Sequence, residues 1–144
     1  AISLCNGKYI ARMDADDIAF PTRFETQYNY LQKEELCDVL ATNAVYIDEN
    51  GNKLKRPHPI VNDKDVFCKA SLYANMIMHP TVMFRKDAVS QVGGYRDFKA
   101  SQDYDLWLRL IKRNVKFKIL EEPMLYYRIR SNSIGQSNAA RKRA

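Results

Sequence analysis

Three aspartates within four positions, Asp14, Asp16 and Asp17, follow directly on a short apolar stretch, and this feature restricts the fold more than any other. Ahead of them, Lys8-Tyr9-Ile10-Ala11 carries residues that favour extended backbone, and Gly7 interrupts what precedes. Behind them, Pro21 suits the first turn of a helix with Phe24, Tyr28 and Leu31 at helical spacing; Arg23, Glu25, Lys33 and Glu34 are left for the solvent side. The carboxylates are therefore expected in a loop at the carboxyl end of a strand, where open α/β sheets place their ligands. Turn or cap chemistry explains one such aspartate comfortably and three poorly. A divalent cation relieves their mutual repulsion, because hard cations take carboxylate oxygens.

The remaining chain reads as alternating elements. Ala1 to Gly7 resembles the last turn of a helix closed by a glycine. Asp38 to Asp48 favours a strand, and Asn50-Gly51 marks a turn. Asn62 or Asp63 caps a short helix carrying Val66, Phe67 and Ala70, and Met76-Ile77-Met78 reads as a buried connection. Thr81 to Arg85 is a strand, followed by a helix stopped at Gly93-Gly94. Ser101 is a good N-cap for the best helix of the sequence, with Leu106, Trp107, Leu110 and Ile111 as its apolar face and Arg109, Lys112 and Arg113 as its basic end. Phe117 to Leu120 and Met124 to Ile129 are read as two strands separated by Pro123. From Ser131 the chain turns polar and basic, so we divide it into a domain over 1–130 and a tail over 131–144.

With 144 residues the chain has enough length for a single sizeable core. No apolar run approaches the roughly 20 residues of a membrane span. The formal charge of +6 favours an anionic partner. Cys5, Cys37 and Cys68 lie far apart and form no C-x-x-C pair, and His58 and His79 are solitary, which argues against a disulfide framework and a zinc site. Reduced thiols place the chain in the cytoplasm.

Two acidic clusters remain: Asp14, Asp16 and Asp17 after a strand, and Asp103 and Asp105 at a helix start. One cluster on a metal and one carboxylate left free would serve a displacement at a phosphate-bearing leaving group. Helix-dipole compensation accounts equally well for Asp105.

These stretches together resemble the inverting glycosyltransferases of family 2, which have the GT-A fold. The resemblance runs through Gly7 to Asp17, Pro21 to Gln27, His79 to Arg85, Val92 to Tyr95 and Ser101 to Arg109, in the family's order. It implies an α/β fold, a partial GT-A-like mixed sheet flanked by helices, with the N-terminal nucleotide-binding βαβ half absent. It also implies a nucleotide-sugar donor, a saccharide or lipid-linked acceptor, a place in cell-envelope polysaccharide biosynthesis, and Mn²⁺ or Mg²⁺. Asp14 would lie at the donor ribose and diphosphate, Asp16 would ligate the metal, and Asp103 would be the general base. Asp17 would support the loop, His79 falls in an acceptor-side segment, and Gln102 falls in the E-D motif helix beside Asp103.

Three departures from the family pattern matter. Gln102 stands where the family usually has Glu, and so adds no negative charge beside Asp103. Arg130 stands where some relatives carry His; it would contact the diphosphate directly, since guanidinium forks match phosphate oxygens. Without the βαβ half, this chain alone is expected to bind donor weakly.

The competing enzymatic readings fit less well. Asp17-Ile18-Ala19 lacks the hydroxyl residue a haloacid-dehalogenase phosphatase needs, and Ile18 and Phe20 spoil an EF-hand loop. A basic nucleic-acid- or membrane-surface-binding module is the non-enzymatic alternative, drawing on Lys53, Lys55, Arg56, the Arg109 group and Arg141-Lys142-Arg143. No nucleic-acid-binding motif accompanies these charges, so nucleic acid is not expected; an anionic membrane surface at the cytoplasmic face is the better partner.

Overall fold

The structure is a computed structural model and describes residues 2–56 and 58–130; the basic tail expected over 131–144 lies outside the described residues. Five strands form one mixed sheet: β1 (Tyr9–Ala11), β2 (Ile18–Ala19), β3 (Val39–Ile47), β4 (Met83–Arg85) and β5 (Phe117–Arg128), in the order β1-β4-β3-β5-β2. β4 runs antiparallel to both β1 and β3, and β5 runs parallel to β3, so β1, β3 and β5 point the same way. The helices are α1 (Arg23–Lys33), α2 (Lys64–Ala70), α3 (Lys86–Gln91) and α4 (Gln102–Lys112).

Strand alternation divides the core between the two faces of the sheet. Val39, Ala41, Phe84 and Ile119 meet Phe67 of α2, Val89 of α3 and Leu106, Trp107 and Leu110 of α4. Leu40 and Met83 point to the other face and meet Leu31 of α1. With helices on both sides, β3 is buried almost throughout. Met76, Ile77 and Met78 fill the space beside the sheet, as the sequence indicates.

Local signals hold at several points. Asp63 accepts the N–H of Val66 at 2.9 Å and caps α2. Asn62 does something else: its amide bonds both the carbonyl and the N–H of Ile119, at 3.0 and 2.9 Å, in the manner of a strand neighbour. Gly93 and Gly94 take φ of 81° and 65°, and the Gly94 N–H closes on the carbonyl of Val89 behind α3.

Five expectations are corrected. α1 turns its polar side inward: Arg23 and Gln27 have no exposed surface, whereas Phe24 and Tyr28 are half exposed. The reason is hydrogen bonding, since Arg23 and Gln27 satisfy carbonyls that would otherwise be buried without partners. The Phe117–Leu120 and Met124–Ile129 strands are one strand, β5, in which Pro123 sits where the register against β3 shifts and no ladder N–H is needed. Ser101 stands at the N-cap position of α4 in the left-handed region, φ 60°, and its side chain makes no cap bond. Arg109 is not part of a free basic face, because it donates to Asp105 and to the carbonyls of Val92 and Gly94. The segment ahead of Gly7 is a single 3-10 turn, Ile2–Leu4, rather than a helix closed by a left-handed glycine.

Candidate active site

The carboxyl ends of β1, β3 and β5 converge on a cleft of about 400 Å³. Arg12 and Asp14 line it from beyond β1, Tyr46 from β3, Tyr127 and Ile129 from the end of β5. Asn75, His79 and the entry to α4, Ser101, Gln102 and Asp103, also line it. The fold thus brings Asp14, His79, Gln102 and Asp103 into one concavity. Asp16, Asp17 and Arg130 line a neighbouring hollow with Arg128 and the Glu49-Asn50-Gly51 turn.

The acidic loop is a web of arginine contacts. Asp14 takes both ends of the Arg12 guanidinium, Nη1 lying 2.7 Å from Oδ2 and Nη2 bonding Oδ1. Asp16 Oδ2 lies 2.8 Å from Nε of Arg130. Arg128 clamps the loop from β5: its N–H donates to Asp17 Oδ1 at 2.8 Å and its Nε to the Asp16 carbonyl at 2.9 Å. Beneath the loop, Arg23 Nη2 donates to the carbonyl of Arg12, and Nε to Gln27 Oε1 at 3.0 Å.

Burial sets the charge states around this web. It pushes the Asp17 carboxyl up to about 6, with the Arg128 N–H pulling the other way and Asp14 and Asp16 adding repulsion. Asp17 Oδ2 and Arg23 Nη1 are both buried without a hydrogen-bond partner. Arg23 falls to about 10, again chiefly through burial.

His79 Nε2 and the Tyr95 hydroxyl are 2.7 Å apart, and the His79 ring packs edge-on to Trp107. Burial, then the nearby Arg12 charge, lowers His79 to about 4, while Tyr95 rises to about 12 through burial. The pair is therefore uncharged near neutral pH. Asp103 Oδ2 accepts the Asn75 side-chain amide at 2.7 Å. Asp105, on the far side of the helix start, pairs with Arg109 and Arg96. That is a structural role.

Among the described residues, no three His, Cys, Asp or Glu side chains are arranged to enclose a metal ion. Asp16 is one-third exposed and turns towards the open hollow. A single accessible carboxylate matches the Mg²⁺ or Mn²⁺ pattern in which substrate phosphates and water complete the coordination. No disulfide joins Cys5, Cys37 or Cys68 among the described residues, and no helix among them is long and apolar enough to cross a membrane.

Sequence reasoning missed Arg12, Arg23, Asn75, Tyr95 and the clamp role of Arg128. Arg12 could have been found from its place two residues before Asp14. Nothing in the sequence marks Asn75, whose partner arrives only through the tertiary fold.

Comparison with known proteins identifies the family and the fold. The model of a family described as "Glycosyltransferase like family 2" matches residues 1–142. An uncharacterized glycosyltransferase of Methanocaldococcus jannaschii, MJ1057, is 39% identical over 132 residues, covering 90% of this chain and 44% of its own length. The Escherichia coli O-antigen biosynthesis glycosyltransferase WbnJ is 38% identical over 146 residues, covering 97% of this chain and 55% of its own length. The chain thus spans about half the length of these curated relatives. The crystal structure of Staphylococcus aureus TarS 1-349 superposes with a TM-score of 0.62 at 15% identity, over 88% of this chain and 37% of that one, a likeness of fold. The chain belongs to the glycosyltransferase-like family 2.

Proposed function

We propose that the protein carrying this chain transfers a sugar from a nucleotide-sugar donor to an acceptor hydroxyl, with inversion and with Mn²⁺ or Mg²⁺ at Asp16. The observation that carries the reading is the meeting of Asp14 and Asp103 in one cleft at the carboxyl ends of three co-directional strands. Family membership supports the transferase class.

In this reading Asp14 receives the donor ribose and diphosphate, and Arg130 supplies a guanidinium fork to the phosphate oxygens. The cation, when bound, neutralises charge growing on the diphosphate as it leaves. Asp103 takes the proton of the acceptor hydroxyl. The acceptor oxygen bonds the anomeric carbon as the bond from that carbon to the diphosphate oxygen breaks, and the diphosphate keeps the electron pair. Gln102 offers an uncharged amide to the acceptor, and neutral His79 adds no charge against the base.

The acceptor class is a saccharide on an anionic lipid carrier. An Escherichia coli relative, 29% identical over 111 residues, is named UDP-Gal:alpha-D-GlcNAc-diphosphoundecaprenol beta-1,3-galactosyltransferase. Lys53, Lys55 and Arg56 are exposed, Arg56 at the cleft itself, and suit an anionic membrane surface at the cytoplasmic face.

The test is nucleoside diphosphate release by the protein expressed from its full open reading frame. It is offered a panel of UDP-, GDP- and dTDP-sugars, Mn²⁺ and a membrane lipid extract. Release that requires Mn²⁺ and is abolished in Asp103→Asn is expected; full activity in Asp103→Asn would defeat the base assignment.

A further inference from the structure

The amide that touches Asp103 is not free to turn. Asn75 Oδ1 accepts the N–H of Ile77 at 3.2 Å, which commits the other end of the amide, Nδ2, to Asp103 Oδ2 at 2.7 Å. The segment carrying Asn75 is itself anchored, because Met76 and Ile77 are buried in the main core. A second tie lies one residue further along α4, where the Tyr104 hydroxyl donates to the Ser71 carbonyl at 2.7 Å. Helix and segment are thus fixed to each other at neighbouring points. The helix start needs such ties. Ser101 enters at φ 60°, a region that residues with a Cβ seldom take, and provides no side-chain cap.

We infer that Asn75 is a positioning residue for the transfer reaction, holding Oδ2 of Asp103 so that Oδ1 faces the acceptor hydroxyl. The inference rests on Asp103 being the base. A carboxylate pinned at one oxygen cannot rotate about its terminal bond without losing a hydrogen bond to its charged form. Asn75 and Asp103 both line the cleft, so the bond lies where the acceptor must approach. If the amide served only to shape its own segment, the Ile77 bond would suffice and Nδ2 would have no need of Asp103.

Two variants separate these roles in the protein expressed from its full open reading frame. Asn75→Ala is expected to lower kcat about tenfold with the donor KM unchanged, as displacement of a base requires. Asn75→Asp keeps an oxygen for the Ile77 N–H but loses the donor and sets a negative charge against Asp103. It is expected to be no better than Asn75→Ala; wild-type kcat in Asn75→Asp would overturn the inference. A second measurement is independent of turnover. In the ¹⁵N-labelled protein, the Asn75 side-chain amide signal is expected to move when its acceptor is removed in Asp103→Ala. An amide signal unmoved in Asp103→Ala would equally overturn it. If Asp103→Asn transfers sugar at the full rate, the base assignment falls and the role of Asn75 with it. If Asp103→Asn is inactive and Asn75→Asp fully active, the role of Asn75 falls alone.

Discussion

Arg23 Nη2 reaches the carbonyl oxygen of Arg12 at 2.8 Å from a side chain with no exposed surface. The arginine lies under the acidic loop and holds the backbone two residues before Asp14. The buried charge is tolerated here because Gln27 and the carbonyls of Arg12 and Val82 take Nε and Nη2 and the Asp17 charge lies nearby, although Nη1 has no hydrogen-bond partner. Arg23→Leu leaves those acceptors buried and unpaired. We expect a loss of about 3 kcal/mol in urea unfolding, with weaker nucleotide binding at the loop.

The inward polar face of α1 gives a contrast within one helix. Gln27 donates to the carbonyls of Leu40 and Thr81 at 3.1 and 2.9 Å, so Gln27→Leu should destabilise by about 2 kcal/mol despite adding an apolar side chain. Phe24, 48% exposed, should accept Phe24→Ser within about 0.5 kcal/mol. Thermal unfolding of the two variants reads the difference directly.

His79 sets a pH dependence with a defined sign. Its folded-state value of about 4 lies below the ordinary 6.5, so the unfolded chain takes up the proton first as pH falls. The contribution to stability is complete above pH 6.5 and is lost as pH drops towards 4, amounting to about 3 kcal/mol at most. His79→Gln should show a shallower loss of stability than the wild type across that window. The imidazole C–H resonances should stay in their neutral positions down to about pH 4.

Asp16 offers a metal-linked prediction. Asp16→Ala should unfold at the same temperature as the wild type in metal-free buffer, because the carboxylate is partly exposed and, among the described residues, its salt bridge is to the exposed Arg130. Mn²⁺-dependent binding of nucleoside diphosphate, followed by calorimetry, should be lost. Retained Mn²⁺ dependence would move the cation site elsewhere.

Two adjacent residues separate capping from sheet sealing. Asp63→Ala removes the bond to the Val66 N–H and should cost about 1 kcal/mol. Asn62→Ala strips both partners from the Ile119 backbone and should cost more, about 2 kcal/mol, with faster amide exchange at Ile119.

The sequence made much of this molecule legible. Apolar spacing and turn residues placed β1, β3, α2, α3 and α4, and the acidic run marked the mouth of the site. The α1 face was misread because apolar periodicity assumes that polar side chains go outward. Arg23 and Gln27 go inward to meet carbonyls whose positions are set by β1, β3 and the turn before β4, none of them local to the helix. Pro123 was taken as a strand break because its missing N–H forbids a regular ladder, and only the shifted register against β3 shows how one strand absorbs it. The Asn75–Asp103 contact joins residues 28 positions apart, and no spacing rule anticipates it.

The pairing of β3 with β5 also governs how the chain must fold. Asp38 and Lys116, at the start of that pairing, are 78 positions apart, and the Arg128 clamp on Asp17 spans 111. Closing such long loops precedes any reward from the contacts they enable, so the pairing of β3 with β5 waits until β5 is available. During synthesis, β3 has no parallel neighbour until β5 emerges, and its apolar edge is open to wrong partners. The cleft, lined from β3 and from the end of β5, is complete only once that long-range pairing has formed.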